Sequence, residues 1–143
     1  MLAGACAALA TLAPAAHGWE RESWAAYVEK YIQKDGRVID FAVAPGITTS
    51  EGQAYALLRA VWVDDRNVFE RVLAWTDGNL EREGSVLPAW KWGALEDGGW
   101  GVVDANTASD ADVILALSLF VASQKWNVPD YEGRAREIAK AIW

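Results

Sequence analysis

The sequence predicts an all-α fold assembled from helical hairpins, and three observations predict it. Apolar residues recur at spacings of three and four in five separate stretches, the mark of helices with one buried face. Helix-ending residues fall between those stretches, at Gly36, at Asp64-Asp65 and again after Gln124. Finally, 143 residues with 52% hydrophobic content suit one domain with a real core and argue against disorder.

Taken in chain order, Trp24, Tyr27, Val28, Tyr31 and Ile32 define the first helix, between Glu20 and Lys34, with Gly36 as its stop. Residues 36–49 read as a long connection with room for a short strand around Val38, Ile39 and Phe41. A second helix begins among Thr48, Thr49 and Ser50, where two capping patterns compete, Thr48 with Glu51 and Ser50 with Gln53. It runs through Ala54, Leu57, Leu58, Val61 and Trp62. Asp64 and Asp65 interrupt it, and Phe69, Val72, Leu73, Thr76 and Leu80 mark a third helix, antiparallel to the second. Residues 84–106 hold Trp90, Trp92 and Trp100 among Pro88 and five glycines, and are expected as an ordered loop. The fourth helix, about Ser109 to Gln124, is apolar on nearly every side, which places it inside something larger. The fifth, from about Asp130 to Trp143, sets Tyr131, Ala135, Ile138, Ala139 and Ile142 along one stripe.

Several function classes drop out. Thirteen basic against twenty acidic residues give a formal charge of -7, without the basic cluster that a phosphate backbone needs, so nucleic acid is not an expected partner. The sequence contains no P-loop, dinucleotide fingerprint, zinc-protease motif or EF-hand loop, and no metal or cofactor is expected. The apolar run from Leu2 to Ala16, with Ala13-Pro14-Ala15 as a cleavage site, reads as an export signal over residues 1–16, giving a secreted or periplasmic protein. That run is too short for a stable membrane span. Its removal takes the single cysteine, Cys6, and leaves the lone His17 at the processing point, so carboxylates are the acid–base candidates.

Two segments carry a resemblance. Residues 49–57, Thr-Ser-Glu-Gly-Gln-Ala-Tyr-Ala-Leu, resemble the stretch bearing the catalytic acid in glycoside hydrolase family 8. Residues 108–118, Ala-Ser-Asp-Ala-Asp-Val-Ile-Leu-Ala-Leu-Ser, continuing to Ala122 and Trp126, resemble the longer signature of the same family. Between them, Trp75-Thr76 and Leu87-Pro88-Ala89-Trp90-Lys91-Trp92-Gly93 look like the version encoded beside bacterial cellulose synthase. The likeness covers nearly everything after residue 19. It implies a ring of six helical hairpins, an (α/α)6 barrel of which five helices are less than half. It also implies inverting hydrolysis of a β-1,4-glucan lying across the helix ends, and a functional association with cellulose synthase.

Carried over residue by residue, the resemblance makes Glu51 the general acid and Asp110 a carboxylate that binds and distorts the sugar beside the scissile bond. On residue chemistry alone both read as helix N-terminal carboxylates. A general acid must hold its proton at working pH, which calls for burial or a neighbouring carboxylate. The positive end of a helix opposes this by about 0.3–1 kcal/mol. Asp112 is expected to cap the fourth helix, paired with Ser109, or to support the site from behind. Trp90, Trp92 and Trp100 are candidates for sugar stacking, while Trp24 and Trp62 are expected in packing. Tyr55, one turn beyond Glu51, is either a hydrogen-bond partner of acid or sugar or a core residue.

Inversion needs a base on the opposite face of the sugar, about 6.5–9.5 Å from the acid. The resemblance places that base beyond Trp143, so residues 17–143 are expected to be the N-terminal portion of a truncated catalytic domain, with apolar surface exposed on the fourth helix. Three readings compete with glucan hydrolysis: a xylanase or chitosanase of the same family, a noncatalytic carbohydrate-binding helical domain, and a purely structural bundle.

Overall fold

A computed structural model of the chain describes residues 18–143. The expected export signal, Cys6 and His17 lie outside them. Five helices and three short strands follow in the order α1 (Gly18–Tyr31), β1 (Thr48–Thr49), α2 (Ser50–Val63), α3 (Arg66–Asn79), β2 (Lys91–Ala94), β3 (Trp100–Asp104), α4 (Ser109–Trp126) and α5 (Pro129–Ala141).

Helices α2 and α3 form the expected antiparallel hairpin, and each of the two aspartates between them has a task. Asp64 takes the left-handed conformation that ends α2, at φ 63°, a region Asp tolerates better than most residues. Asp65 caps α3 by accepting the Val68 N–H at 3.1 Å, and its other oxygen accepts the buried indole N–H of Trp24 at 2.9 Å. Helix α4 turns into α5 through Asn127, again left-handed, and Pro129 opens α5 where its missing N–H costs nothing.

The two hairpins stand side by side. Lys125 donates to the Val61 carbonyl at 2.7 Å and Trp126 donates to Asp64 at 2.8 Å, which joins the C-terminal ends of α4 and α2. Arg134 makes a two-pronged pair with Asp77, and Tyr131 packs on Phe69 with centroids 5.5 Å apart, which aligns α5 with α3. Thus α2 runs parallel to α4 and α3 parallel to α5, the repeat of a partial (α/α) barrel. The core between them includes Leu57, Val61, Phe69, Val72, Leu115, Leu119 and Ile138, all at most 4% exposed.

Several expectations need correction. The α2 cap is neither Thr48 nor Ser50 but Thr49, whose hydroxyl accepts the Gly52 N–H at 3.1 Å. Thr48 is instead buried in β1, where its hydroxyl donates to the Val38 carbonyl at 2.7 Å. The stretch 84–106 is not wholly a loop: β2 and β3 pair antiparallel across its glycines, and β1 adds to β2 with Thr48 opposite Trp92. Trp62, expected in packing, is 65% exposed. It belongs to an open side of α2, just as Val113, Leu117 and Phe120 form an open apolar stripe on α4. That stripe is the exposed surface expected of the fourth helix. Ala139 is likewise exposed, so the α5 stripe is narrower than its spacing suggests.

Candidate active site

The three-stranded sheet sits across the N-terminal ends of α2 and α4, and the backbone of Trp90 ties both ends together. Its carbonyl accepts the Ser50 N–H at 2.9 Å, and its own N–H donates to the Asn106 carbonyl at 2.8 Å. One residue therefore links the position before Glu51 to the run-in of α4. This register explains how two motifs almost sixty residues apart come to share one rim.

Glu51 lies in the first turn of α2, half-buried, and its Oε2 accepts the Ser50 hydroxyl at 3.2 Å. Asp110 lies in the first turn of α4, exposed. Asp112, two residues beyond Asp110 on α4, is only 1% exposed, with an Oδ1 that has no hydrogen-bond partner. Burial pushes the Asp112 carboxyl up to about 6. Arg82 opposes that shift, while the charges of Asp110 and Glu51 add to it. Glu51 and Asp110 stand in the first turns of α2 and α4, at the same end of parallel helices.

Asp112 is thus not the cap that the sequence suggests. Ala108 occupies the N-cap of α4 without any side-chain hydrogen bond, and the Asp112 N–H joins the first helical turn by donating to the Ala108 carbonyl. Tyr55 is not core either, being 52% exposed on the open side of α2 one turn beyond Glu51.

The tryptophans divide. Trp92 and Trp100 stack with centroids 5.1 Å apart and planes 26° from parallel, and Trp75 meets Trp92 edge-on at 5.3 Å. Trp100 is 46% exposed, whereas Trp92 is hemmed in by Trp75, Trp100 and the guanidinium of Arg37 at 4.3 Å. Of the pair, only Trp100 offers substantial open ring surface. Trp90 lies under Lys91, whose ammonium is 5.4 Å from the ring centroid. Asp104 also hydrogen-bonds to the Trp90 side chain, and the Asn106 backbone N–H, donating at 2.9 Å, is the main reason the Asp104 carboxyl sits below its ordinary range.

Arg37 and Arg82 escape a reading of the sequence. A lone arginine in a connection has no periodicity to give it away, and both matter through contacts made across 10 or more positions. Among the described residues no group of three or more His, Cys, Asp or Glu side chains is arranged to hold a metal ion.

With the carboxylates and the tryptophan sheet placed, known proteins supply the frame. Residues 2–143 match the sequence profile of glycosyl hydrolases family 8. The chain belongs to that family. An endoglucanase of Xanthomonas axonopodis pv. citri is 43% identical over 121 residues, covering 83% of this chain and 32% of that protein. An endoglucanase of Escherichia coli K12 is 42% identical over 123 residues, covering 84% and 33%. Among solved structures, an endo-1,4-D-glucanase from Vibrio fischeri superposes with a TM-score of 0.78 at 38% identity, covering 83% of this chain and 35% of the other. An endo-β-1,4-glucanase from Acetobacter xylinum gives 0.76 at 32% identity, covering 85% and 37%. This family 8 chain spans about a third of the length of the curated relatives it matches.

Proposed function

We propose that this family 8 chain forms the acid side of an inverting β-1,4-glucan hydrolase site. Support comes from one observation above all: the first turns of α2 and α4, which carry Glu51 and Asp110, lie at one end of two parallel helices and are tied together through the Trp90 backbone. The Asp112 carboxyl, pushed up to about 6 chiefly by its burial, is the group beside this rim that holds its proton most tightly. Glu51, held by the Ser50 hydroxyl, delivers a proton to the leaving glycosidic oxygen. Exposed Asp110 takes the sugar hydroxyls beside the scissile bond. Trp100 and Tyr55, both about half exposed, offer ring surface to pyranose C–H groups.

No residue of this chain is assigned as the base. Asp104 is engaged with Asn106 and Trp90 and does not fill that role. The reading is therefore glucan binding with slow turnover by these 143 residues. Export rests on the Leu2–Ala16 run, and association with cellulose synthase rests on the Trp75-Thr76 and Leu87–Gly93 segments. Among the described residues no helix is long and apolar enough to cross a membrane.

The test is an NMR titration of the chain with cellohexaose, xylohexaose and chitohexaose, alongside reducing-end release from soluble β-1,4-glucan. Expected are shifts at Glu51, Asp110 and Trp100 with cellohexaose foremost, and near-background hydrolysis that Glu51→Gln leaves unchanged. Shifts confined to residues away from this rim would refute the site. Fast inverting hydrolysis that depends on Glu51 would show that a base lies within the chain.

A further inference from the structure

We propose that Arg37 is a positioning residue for sugar stacking: its guanidinium fixes Trp92 and Trp100 as one platform and ties that platform to the strand that delivers Glu51. The proposal rests on the glucan-binding reading above. Its geometry comes from three elements that are remote in sequence. The Arg37 guanidinium lies 4.3 Å from the Trp92 centroid and 4.8 Å from that of Trp100, while the two indoles are 5.1 Å apart. Those three distances make a nearly equilateral triangle. Arg37 and Trp92 both crowd Trp100, yet that ring stays 46% exposed and so keeps open surface for a sugar.

The guanidinium is held in place by its edge. Its Nε donates to the Thr48 hydroxyl at 2.8 Å and its Nη2 donates to the Gly46 carbonyl at 3.1 Å. Both acceptors are neutral oxygens, so the positive charge is left to the electron-rich indole faces. Burial lowers the Arg37 pKa, with Asp35 opposing, as expected of a cation taken partly out of water. Thr48, fully buried, passes the connection on to the Val38 carbonyl and lies opposite Trp92 in the sheet. Two residues later Ser50 starts α2, and Glu51 follows. The stacking platform and the acid thus hang from one two-residue strand, with Arg37 as the clamp between them.

A planar fork suits this place and an ammonium does not. Lysine has no flat face to lie across two rings and no rigid edge to engage two oxygens at once. Without the clamp each indole gains freedom that a bound sugar must then remove, so binding weakens although no sugar contact is deleted.

The experiment compares the native chain with Arg37→Met, Arg37→Lys and Trp100→Ala. Two readouts are used: the far-ultraviolet circular-dichroism couplet of the stacked indoles, and cellohexaose affinity by calorimetry. Arg37→Met is expected to lose most of the couplet and to bind about three- to tenfold more weakly. Arg37→Lys is expected to recover little of either, and it carries the test if the methionine variant does not fold. Trp100→Ala should abolish the couplet and weaken binding as well. A native couplet or native affinity in a folded Arg37 variant, with binding weakened in Trp100→Ala, overturns the role of Arg37 and leaves the glucan reading intact. Absence of cellohexaose binding by the native chain overturns both.

Discussion

Gln53, fully buried on α2, accepts the backbone N–H of Val38 at 2.7 Å, which anchors the connection bearing Arg37 to the helix bearing Glu51. Its amide nitrogen donates in the other direction, to the Thr76 hydroxyl at 2.9 Å and the Val72 carbonyl at 3.2 Å, both on α3. One side chain on α2 therefore bridges the connection and α3, and it is the buried partner of the Val38 N–H. Leucine fills similar volume but makes none of these bonds. Gln53→Leu is expected to cost about 2–4 kcal/mol, because the Val38 N–H and neighbouring acceptors lose buried partners at about 1–3 kcal/mol each. Urea unfolding measures it, and a loss below about 0.5 kcal/mol would show that water replaces the amide.

Glycine at position 36 is required for two separate reasons. Its φ is +101°, and a Cβ there would lie 2.1 Å from the Arg71 carbonyl oxygen. Gly36→Ala should destabilise the fold by more than about 2 kcal/mol, since the α1 end and α3 must separate. Gly78, inside α3, is the contrast: a methyl group there would meet nothing within 4 Å. Gly78→Ala should stabilise by about 0.5–1 kcal/mol through helix propensity. Thermal melts of the two variants should move in opposite directions.

Much of this fold is legible in the sequence because helix periodicity is a local signal. The break at Asp64-Asp65 and the start of α2 sit where spacing puts them, whereas α1 ends at Tyr31, short of the expected stop at Gly36, because Ile32 leaves the helix to pair with Val38. The strands are not legible, because β2 and β3 are short, glycine-rich and stabilised by pairing partners distant in the chain, including Thr48. Trp62 misleads for a related reason. Spacing shows that a residue shares a helix face, but not whether any element covers that face. At the site, motif resemblance singles out Glu51 and Asp110, yet nothing local marks Asp112 as the buried carboxyl of α4.

The open side of α4 gives a sharper contrast between adjacent residues. Leu119 is fully buried among α2 and α5, whereas Phe120 is 44% exposed. Leu119→Ala is expected to cost about 2–5 kcal/mol from lost transfer energy and the cavity left behind. Phe120→Ala, although it deletes a larger side chain, should cost less than Leu119→Ala, because 44% of its surface stays in water and its loss leaves no closed cavity. Comparable losses at both positions would mean that Phe120 is covered in solution.

The last expectation concerns Asp112 and pH. In the folded chain its carboxyl titrates at about 6, against an ordinary value of 3.8, so the fold binds the proton more tightly than the unfolded chain does. The linked stability is fully present below about pH 4 and is lost as pH climbs through 6. Asn is nearly isosteric with the protonated acid and does not titrate, so Asp112→Asn should flatten that part of the stability profile. Between about pH 4 and pH 7 the native chain should lose on the order of 1–3 kcal/mol more than the variant. The slope matters more than the offset, because the asparagine N–H groups bring their own need for partners. Arg82 supplies the opposing charge, so Arg82→Met should move the native inflection upward, while Asp110→Asn and Glu51→Gln should each move it down. Urea midpoints at several pH values between about 4 and 8 would resolve these shifts. An unchanged slope in Asp112→Asn would assign the titration to another group and leave the Asp112 carboxylate ionised in its buried place, with Arg82 as its effective counter-charge.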